Sequence, residues 1–318
     1  MSPPVLALEC VSLGIGAVTI VEDLTLSLAA GEIVALVGES GAGKSLTALA
    51  LAGLLPPGGW LRGSVTLDGR RIDPMDEAAM HPLRGRALGL IVQDPVAGLD
   101  PGMRIGAQLI ETLRLHRRLT RQQARADAVA ALERVGIKDA AGRIDRYPFE
   151  LSGGKCQRVM IALALAGHPG LLIADEPTSA LDAAVQADIL ALLCRLTAEE
   201  RRAMLLISHD LDLVAGAADR IAVLYAGRIV EAGPAAEVLA SPRHPYSAAL
   251  VGSRLDGRQP AKTPLPTLPG VAPRPQAYPA GCRFHPRCAS ALTRCAVERP
   301  PWSGTAGHGL ACWLEAPR

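Results

Sequence analysis

The octet Gly38-Glu39-Ser40-Gly41-Ala42-Gly43-Lys44-Ser45, a complete G-x-x-x-x-G-K-S, constrains this chain more than any other feature. It follows the apolar run Ile33-Val34-Ala35-Leu36-Val37 and opens a strongly apolar stretch expected to be helical from Lys44 to about Leu54. In a strand–loop–helix of this kind the glycines let backbone N–H groups turn inward and cradle phosphate oxygens, helped by the helix N-terminus. Lys44 is expected to bring positive charge to β- and γ-phosphates, and the Ser45 hydroxyl to complete the shell of a Mg²⁺ ion. The nucleotide-contacting set then runs from Gly38 to Leu46.

A second apolar run, Leu171-Leu172-Ile173-Ala174, ends in Asp175-Glu176. Buried strands rarely end in paired acids unless a cation or a polarised water waits there. Asp175 is expected to hold Mg²⁺ through water, and Glu176 to polarise an attacking water as general base. Strand-like runs at Leu88 to Val92, 204–207 and 221–224, with a helical pattern over 182–197, predict a mainly parallel sheet. Its ligand belongs at the carboxyl ends of the strands. Residues 5–37 read as short strands separated by turns, and Val65-Thr66-Leu67 before Asp68-Gly69 as a hairpin.

Between about 95 and 167 the pattern turns helical, with Ile105, Leu109 and Leu113 recurring every four residues. Thr120 and Gln123 make a capping box, and Ala124, Ala128, Ala131, Leu132 and Val135 share a face before Gly136 stops the helix.

At 318 residues the chain can bury one sizeable core and carry a smaller appendage. A formal charge of +2 is too small to predict a nucleic-acid or anionic-membrane partner. No apolar run reaches the roughly 18 residues that a bilayer span needs. Met1-Ser2-Pro3-Pro4 lacks a basic stretch followed by an apolar one, so a cytoplasmic chain is expected. Nine prolines between Pro242 and Pro279 predict an extended linker or arm, with a cysteine-rich tail hanging beyond it. Four of the seven cysteines, Cys282, Cys288, Cys295 and Cys312, fall in the last 37 residues. In a reducing compartment such clustering argues for metal or cluster ligation before disulfides.

Leu151-Ser152-Gly153-Gly154-Lys155 lies between the phosphate loop and the acidic strand. With these motifs in this order, the chain resembles the ABC ATPases. The resemblance implies an α/β fold: a P-loop NTPase (RecA-like) core with an antiparallel β subdomain and an inserted α-helical subdomain, plus a small Cys-rich C-terminal extension. The expected division is 1–94 for the β subdomain and first part of the core, and 95–167 for the helical subdomain with the signature loop. The second part of the core follows at 168–240, and the arm and tail at 241–318. Ser152 is read as the cap of a helix whose N–H groups can face an anion. In the resembled family that anion is the γ-phosphate bound to the opposite subunit, so two chains sandwich two ATP molecules.

The resemblance also implies that Gln93 is the switch glutamine contacting Mg²⁺ or water, and that Ser179-Ala180-Leu181-Asp182 is the dimer-contacting D-loop. His209, after the strand Met204 to Ile207, corresponds to the switch histidine at the γ-phosphate. Two positions depart from the family pattern. Ile15, in Gly14-Ile15-Gly16, stands where many members stack an aromatic on adenine, and an aliphatic contact holds a base less firmly than a ring. Lys155-Cys156 stands where a glutamine or another residue is frequent, and Lys155 adds charge near the partner's phosphates. No catalytic group is missing, so a competent ATPase is expected, with Glu176, His209 and Gln93 catalytic.

Arg243-His244-Pro245-Tyr246 followed by Ala248-Ala249-Leu250, then Gly281-Cys282-Arg283-Phe284 through Arg287-Cys288, resemble the C-terminal extension of the oligopeptide/dipeptide/nickel importer ATPases. This implies a peripheral motor on the cytoplasmic side of the inner membrane, powering uptake of di- or oligopeptides, nickel or a related small solute. The implied partners are a second, non-identical homologous cassette, two integral-membrane permeases and an extracytoplasmic solute-binding protein. Two rival classes are a soluble ABC ATPase acting on nucleic acid and a regulatory module without turnover. The first lacks a basic-aromatic stripe, and Glu176 and His209 argue against the second.

The tail spacing C-x5-C-x6-C-x16-C lacks the tight C-x2-C knuckles of zinc ribbons. Four thiolates so spaced suit a [4Fe–4S] cluster, as in some resembling proteins, with Arg283, Arg287, Arg294 and Arg299 offsetting its negative charge. Zinc, with His308 as a further ligand, and four reduced thiols stay open.

Overall fold

The computed structural model describes residues 3–179, 181–254, 268–304 and 307–315. Ala180 of the expected D-loop and 255–267 of the proline-rich stretch lie outside the described residues. The strands are β1 (Leu6–Ile15), β2 (Val18–Leu28), β3 (Ile33–Val37), β4 (Gly59–Leu67), β5 (Arg70–Ile72) and β6 (Leu88–Ile91). They continue with β7 (Leu171–Asp175), β8 (Ala203–Ser208), β9 (Arg220–Tyr225), β10 (Arg228–Pro234), β11 (Ser303–Gly304) and β12 (Gly309–Leu310).

Every residue of β3, β7 and β8 is buried, which a sheet achieves only when both of its faces are covered. The alternation of side chains along β3 divides the core accordingly. Ile33, Ala35 and Val37 pack into an apolar cluster with the helices Ile105–His116, Arg121–Arg134, Gly153–Leu165 and Ala183–Glu199. Val34 and Leu36 pack on the other side, with the helix Lys44–Leu51 and inward residues of β1, β2 and β4. The large sheet runs β11-β12-β10-β9-β3-β8-β7-β6, and a four-stranded antiparallel sheet runs β2-β1-β4-β5. From β9 to β6 the large sheet is parallel.

The register gathers the site. Val37 pairs with Ser208, and Asp175 with Ile207, so β3, β7 and β8 end side by side. The segments that follow them, beginning at Gly38, Glu176 and His209, emerge together at the carboxyl edge where open parallel sheets bind ligands.

Several local expectations stand. Asp68 and Gly69 take φ of 49° and 74° in the β4–β5 turn, the left-handed pair that a two-residue hairpin requires. Thr120 and Gln123 form the reciprocal capping box. Others are revised. The short strands expected over 5–37 are long, with 10 residues in β1 and 11 in β2. Register shifts and the positive φ of Cys10 and Asp23 break the alternation within them, which makes each read as fragments. The helix from Lys44 stops at Leu51, two residues before Gly53 at φ +66°.

The proline-rich stretch is also not wholly extended, because Pro245–Gly252 is helical. Pro245 sits in its first turn, where a missing N–H costs nothing, and His244 caps it. Nor does the tail hang free: β12 pairs with β10, Glu231 opposite Leu310, and prolongs the core sheet.

Candidate nucleotide site

The phosphate loop leaves β3 through Gly38, whose φ is +153°; a Cβ there would lie 2.1 Å from the Leu224 carbonyl oxygen. At Gly43, φ is +105° and a Cβ would meet Val21 Cγ2 at 2.4 Å. Both glycines are therefore demanded by packing as well as by dihedral. Lys44 is buried and its Nζ donates to the carbonyls of Gly38 at 2.8 Å and Glu39 at 3.0 Å. Burial pulls its pKa below the ordinary lysine value, opposed by the carboxylates of Glu176, Asp175 and Glu39. The Ser45 hydroxyl donates to Asp175 Oδ1 at 3.0 Å. Burial raises the Asp175 pKa, and the Ser45 hydrogen bond counters it. A hydroxyl and a buried carboxylate facing each other beside a lysine form an oxygen-donor pair suited to a hard divalent cation.

Glu176 takes φ +45°, a conformation costing a non-glycine residue about 1–3 kcal/mol. Its amide is anchored on the Ile207 carbonyl at 2.9 Å. Gln93 Nε2 donates to Glu176 Oε2 at 3.0 Å, and His209 Nδ1 stands 3.2 Å from Oε1. These three side chains meet Ser40, Gly41, Gly43, Lys44, Ser45 and Leu46 around a cleft of about 610 Å³. Ile15, at 36% exposure, lines its far wall together with Ile20 and Pro275. Sequence reading did not single out those last two. Ile20 looks like any strand residue, and Pro275 reaches the cleft from a distant part of the chain.

The walls of this cleft include none of Leu151, Ser152, Gly153, Gly154 and Lys155. Ser152 occupies the N-cap position of the helix Gly153–Leu165, but its side chain makes no capping hydrogen bond, contrary to expectation. Its carbonyl instead accepts from the amides of Lys155 and Cys156. The helix start packs against the segment after β7: a Cβ on Gly153 would lie 3.5 Å from Leu181, and one on Gly154 2.8 Å from Val185. Asp182 caps the helix Ala183–Glu199 through Val185 N, and the Ser179 hydroxyl donates to the Glu176 carbonyl at 3.2 Å. Ser179 thus hangs directly on the backbone of the acidic strand end.

In the tail, burial pushes the Cys282 thiol up to about 11, with Cys295, Cys312 and Cys288 adding to the shift. Burial likewise raises Cys312, with Cys288 and Cys295 contributing, so the four thiols lie within electrostatic reach of one another. Among the described residues no three His, Cys, Asp or Glu side chains gather tightly enough to hold a single metal ion. His308 is committed elsewhere, Nε2 to Glu231 at 2.8 Å and Nδ1 to Glu237 at 3.2 Å, which removes it as a zinc ligand.

The expectation that four arginines offset a cluster's charge is also revised. Arg283 pairs with Glu22, Arg287 with Glu39, Arg294 with Glu298, and Arg299 with Asp23. Each is paired with a carboxylate, and three of those carboxylates, Glu22, Asp23 and Glu39, lie in the N-terminal part of the chain.

Known proteins agree with this layout. The family profile described as ABC transporter matches residues 21–179. A second, described as oligopeptide/dipeptide transporter, C-terminal region, matches 230–295. The oligopeptide transport ATP-binding protein OppD of Haemophilus influenzae is 44% identical over 307 residues, covering 95% of this chain and 94% of that protein. OppD of Escherichia coli is 46% identical over 300 residues, covering 94% of this chain and 88% of that protein. Among solved structures, a dimeric post-hydrolysis state of the ATP-binding cassette MJ0796 bound to ADP and Pi aligns with a TM-score of 0.64 and 26% identity. That alignment covers 72% of this chain and 98% of the cassette. With its phosphate loop, acidic strand end and C-terminal region all in place, this chain belongs to the ABC transporter ATPases, among the ATP-binding proteins of the oligopeptide/dipeptide type.

Proposed function

We propose that this chain is the ATP-hydrolysing subunit of an importer that takes up di- and oligopeptides across the cytoplasmic membrane. The observation carrying the reading is Glu176, held between Gln93 and His209 at the mouth of the phosphate loop. The match of 230–295 to the transporter C-terminal region and the OppD relatives support the peptide cargo.

The Lys44 ammonium and the amides of the Gly38–Ser45 loop other than that of Glu39, which donates to Tyr246, receive the β- and γ-phosphates. Ile15, Ile20 and Pro275 line the part of the cleft left for the base. Ser45, Asp175 through water and Gln93 would hold Mg²⁺, which would supply charge neutralisation to the phosphates. Glu176 orients water and accepts its proton as the new O–P bond forms and the bond to the ADP oxygen breaks. His209 and Gln93 fix that carboxylate and report the presence of the γ-phosphate.

Leu151 to Lys155 act on ATP held by a second cassette, and Ser179 to Asp182 line the contact between the two. The segregation of the signature loop from this chain's own cleft supports that division, as does the dimeric form of the MJ0796 cassette. The second cassette is a homologous, non-identical chain, and ATP drives closure because only the closed pair touches it from both sides. No helix among the described residues is long and apolar enough to cross a membrane, in keeping with peripheral attachment.

Cys282, Cys288, Cys295 and Cys312 hold a [4Fe–4S] cluster in this reading. The support for this is the sequence grouping of the four cysteines at C-x5-C-x6-C-x16-C, since four cysteine thiolates are the usual ligand set of such a cluster. The cluster would fasten the tail and supply a one-electron couple.

Isolation of the tagged chain from membranes in mild detergent tests the assembly. Two permeases and a second, homologous cassette are expected in the eluate. Salt-sensitive recovery of nucleic acid in place of permeases would overturn the reading.

A further inference from the structure

Glu39, the second residue of the phosphate loop, is held from three sides. Its amide donates to the Tyr246 hydroxyl at 2.9 Å, and its carbonyl accepts from Lys44 Nζ at 3.0 Å. Its carboxylate receives the two arms of Arg287, Nη1 to Oε2 at 2.6 Å and Nη2 to Oε1 at 2.9 Å. Tyr246 and Arg287 both lie in the C-terminal region, 207 and 248 residues along the chain from Glu39.

Neither is a loose surface contact. The Arg287 side chain is only 6% exposed, and its Nε donates to the Pro269 carbonyl at 2.7 Å. Tyr246 is fully buried, with its ring 4.5 Å from Tyr225 and 5.4 Å from Phe284 between centroids. The Glu39 side chain is 26% exposed, and a bidentate, half-buried guanidinium–carboxylate pair of this kind is demanding of geometry. The arm touches the site again where Pro275 lines the cleft, and where the Tyr278 hydroxyl donates to the Ile20 carbonyl at 3.0 Å.

We propose that Arg287 is a positioning residue of the ATP site, presetting the phosphate loop through Glu39 so that the C-terminal extension sets the chain's affinity for ATP. Loop amides already turned to phosphate bind without the cost of ordering them. Arg287 adjoins Cys288 in sequence, so the cysteine-bearing segment is linked to the phosphate loop through the Arg287–Glu39 pair. The inference rests on the reading of Gly38 to Leu46 as an ATP site.

The test measures the Kd of MgATP for the full-length chain together with its Tm. It compares the wild type with Arg287→Ala, Arg287→Lys, Glu39→Gln and the double variant Arg287→Ala/Glu39→Gln. Arg287→Ala should raise Kd by about tenfold, Glu39→Gln by a similar factor, and the double variant no further, since both break one pair. Arg287→Lys should recover part of the loss, and in turnover assays the rise in KM should exceed the change in kcat. Folded Arg287→Ala with wild-type Kd overturns the proposal. If that variant fails to fold, unchanged Kd in Glu39→Gln overturns it equally. A wild-type chain that binds no ATP overturns the site reading itself and this inference with it.

Discussion

Gln93 Nε2 donates to Glu176 Oε2 at 3.0 Å, across 83 residues of sequence, and fixes the carboxylate at the mouth of the phosphate loop. Replacing Glu176 by Gln keeps the size of the group and removes its ability to accept a proton. ATP turnover should fall by about 10²–10⁴-fold while ATP binding persists. With ATP present the variant should elute as a stable two-cassette species in gel filtration with its homologous partner. Undiminished turnover would defeat the assignment of Glu176 as base.

His244 is buried, accepts from the Tyr246 amide through Nδ1 at 3.0 Å and donates its own amide to Glu231 at 2.8 Å. Burial brings its pKa down to about 4, with Glu231 opposing. The folded value lies below the unfolded one near 6.5, so its stabilising contribution is whole above about pH 6.5. As pH falls from there to about 4, the unfolded chain takes up a proton that the folded chain refuses. The loss is on the order of 3 kcal/mol. Denaturant midpoints between pH 7 and 4 should show this slope, and His244→Asn, which keeps a capping acceptor, should flatten it. Equal slopes in the two proteins would contradict the account.

The tail makes a separate prediction about metal. Protein purified without oxygen should be brown and contain about four iron and four sulfide per chain. Cys288→Ser should lower both contents, and chelation should lower Tm by removing the tail's fastening. A colourless, iron-free chain with full ATP turnover would contradict the cluster assignment.

What could be read beforehand was what is local. Gly38 to Ser45, the Asp175-Glu176 strand end and the Thr120–Gln123 box are contiguous runs in which backbone geometry dictates residue type, so spacing alone reveals them. The roles of Gln93 and His209 came from the resemblance to the ABC ATPases, not from the residues around them. Side-chain pairs that span the chain left no such trace. Nothing in the neighbourhood of Arg287 marks Glu39 as its partner, and proximity in sequence to four cysteines suggested a different role for it. Likewise Pro275 belongs to a stretch read as linker, yet folding carries it to the cleft beside Ile15. The two long strands β1 and β2 were hidden by bulges, which remove the alternation by which strands are recognised.

ATP-driven uptake of a labelled di- or oligopeptide by membrane vesicles carrying the complete assembly tests the central claim most directly. Vesicles with the wild-type chain should accumulate peptide when ATP is supplied on the side of the cassettes. Those with Glu176→Gln should bind ATP but accumulate none. Equal peptide accumulation in the two preparations would contradict the account.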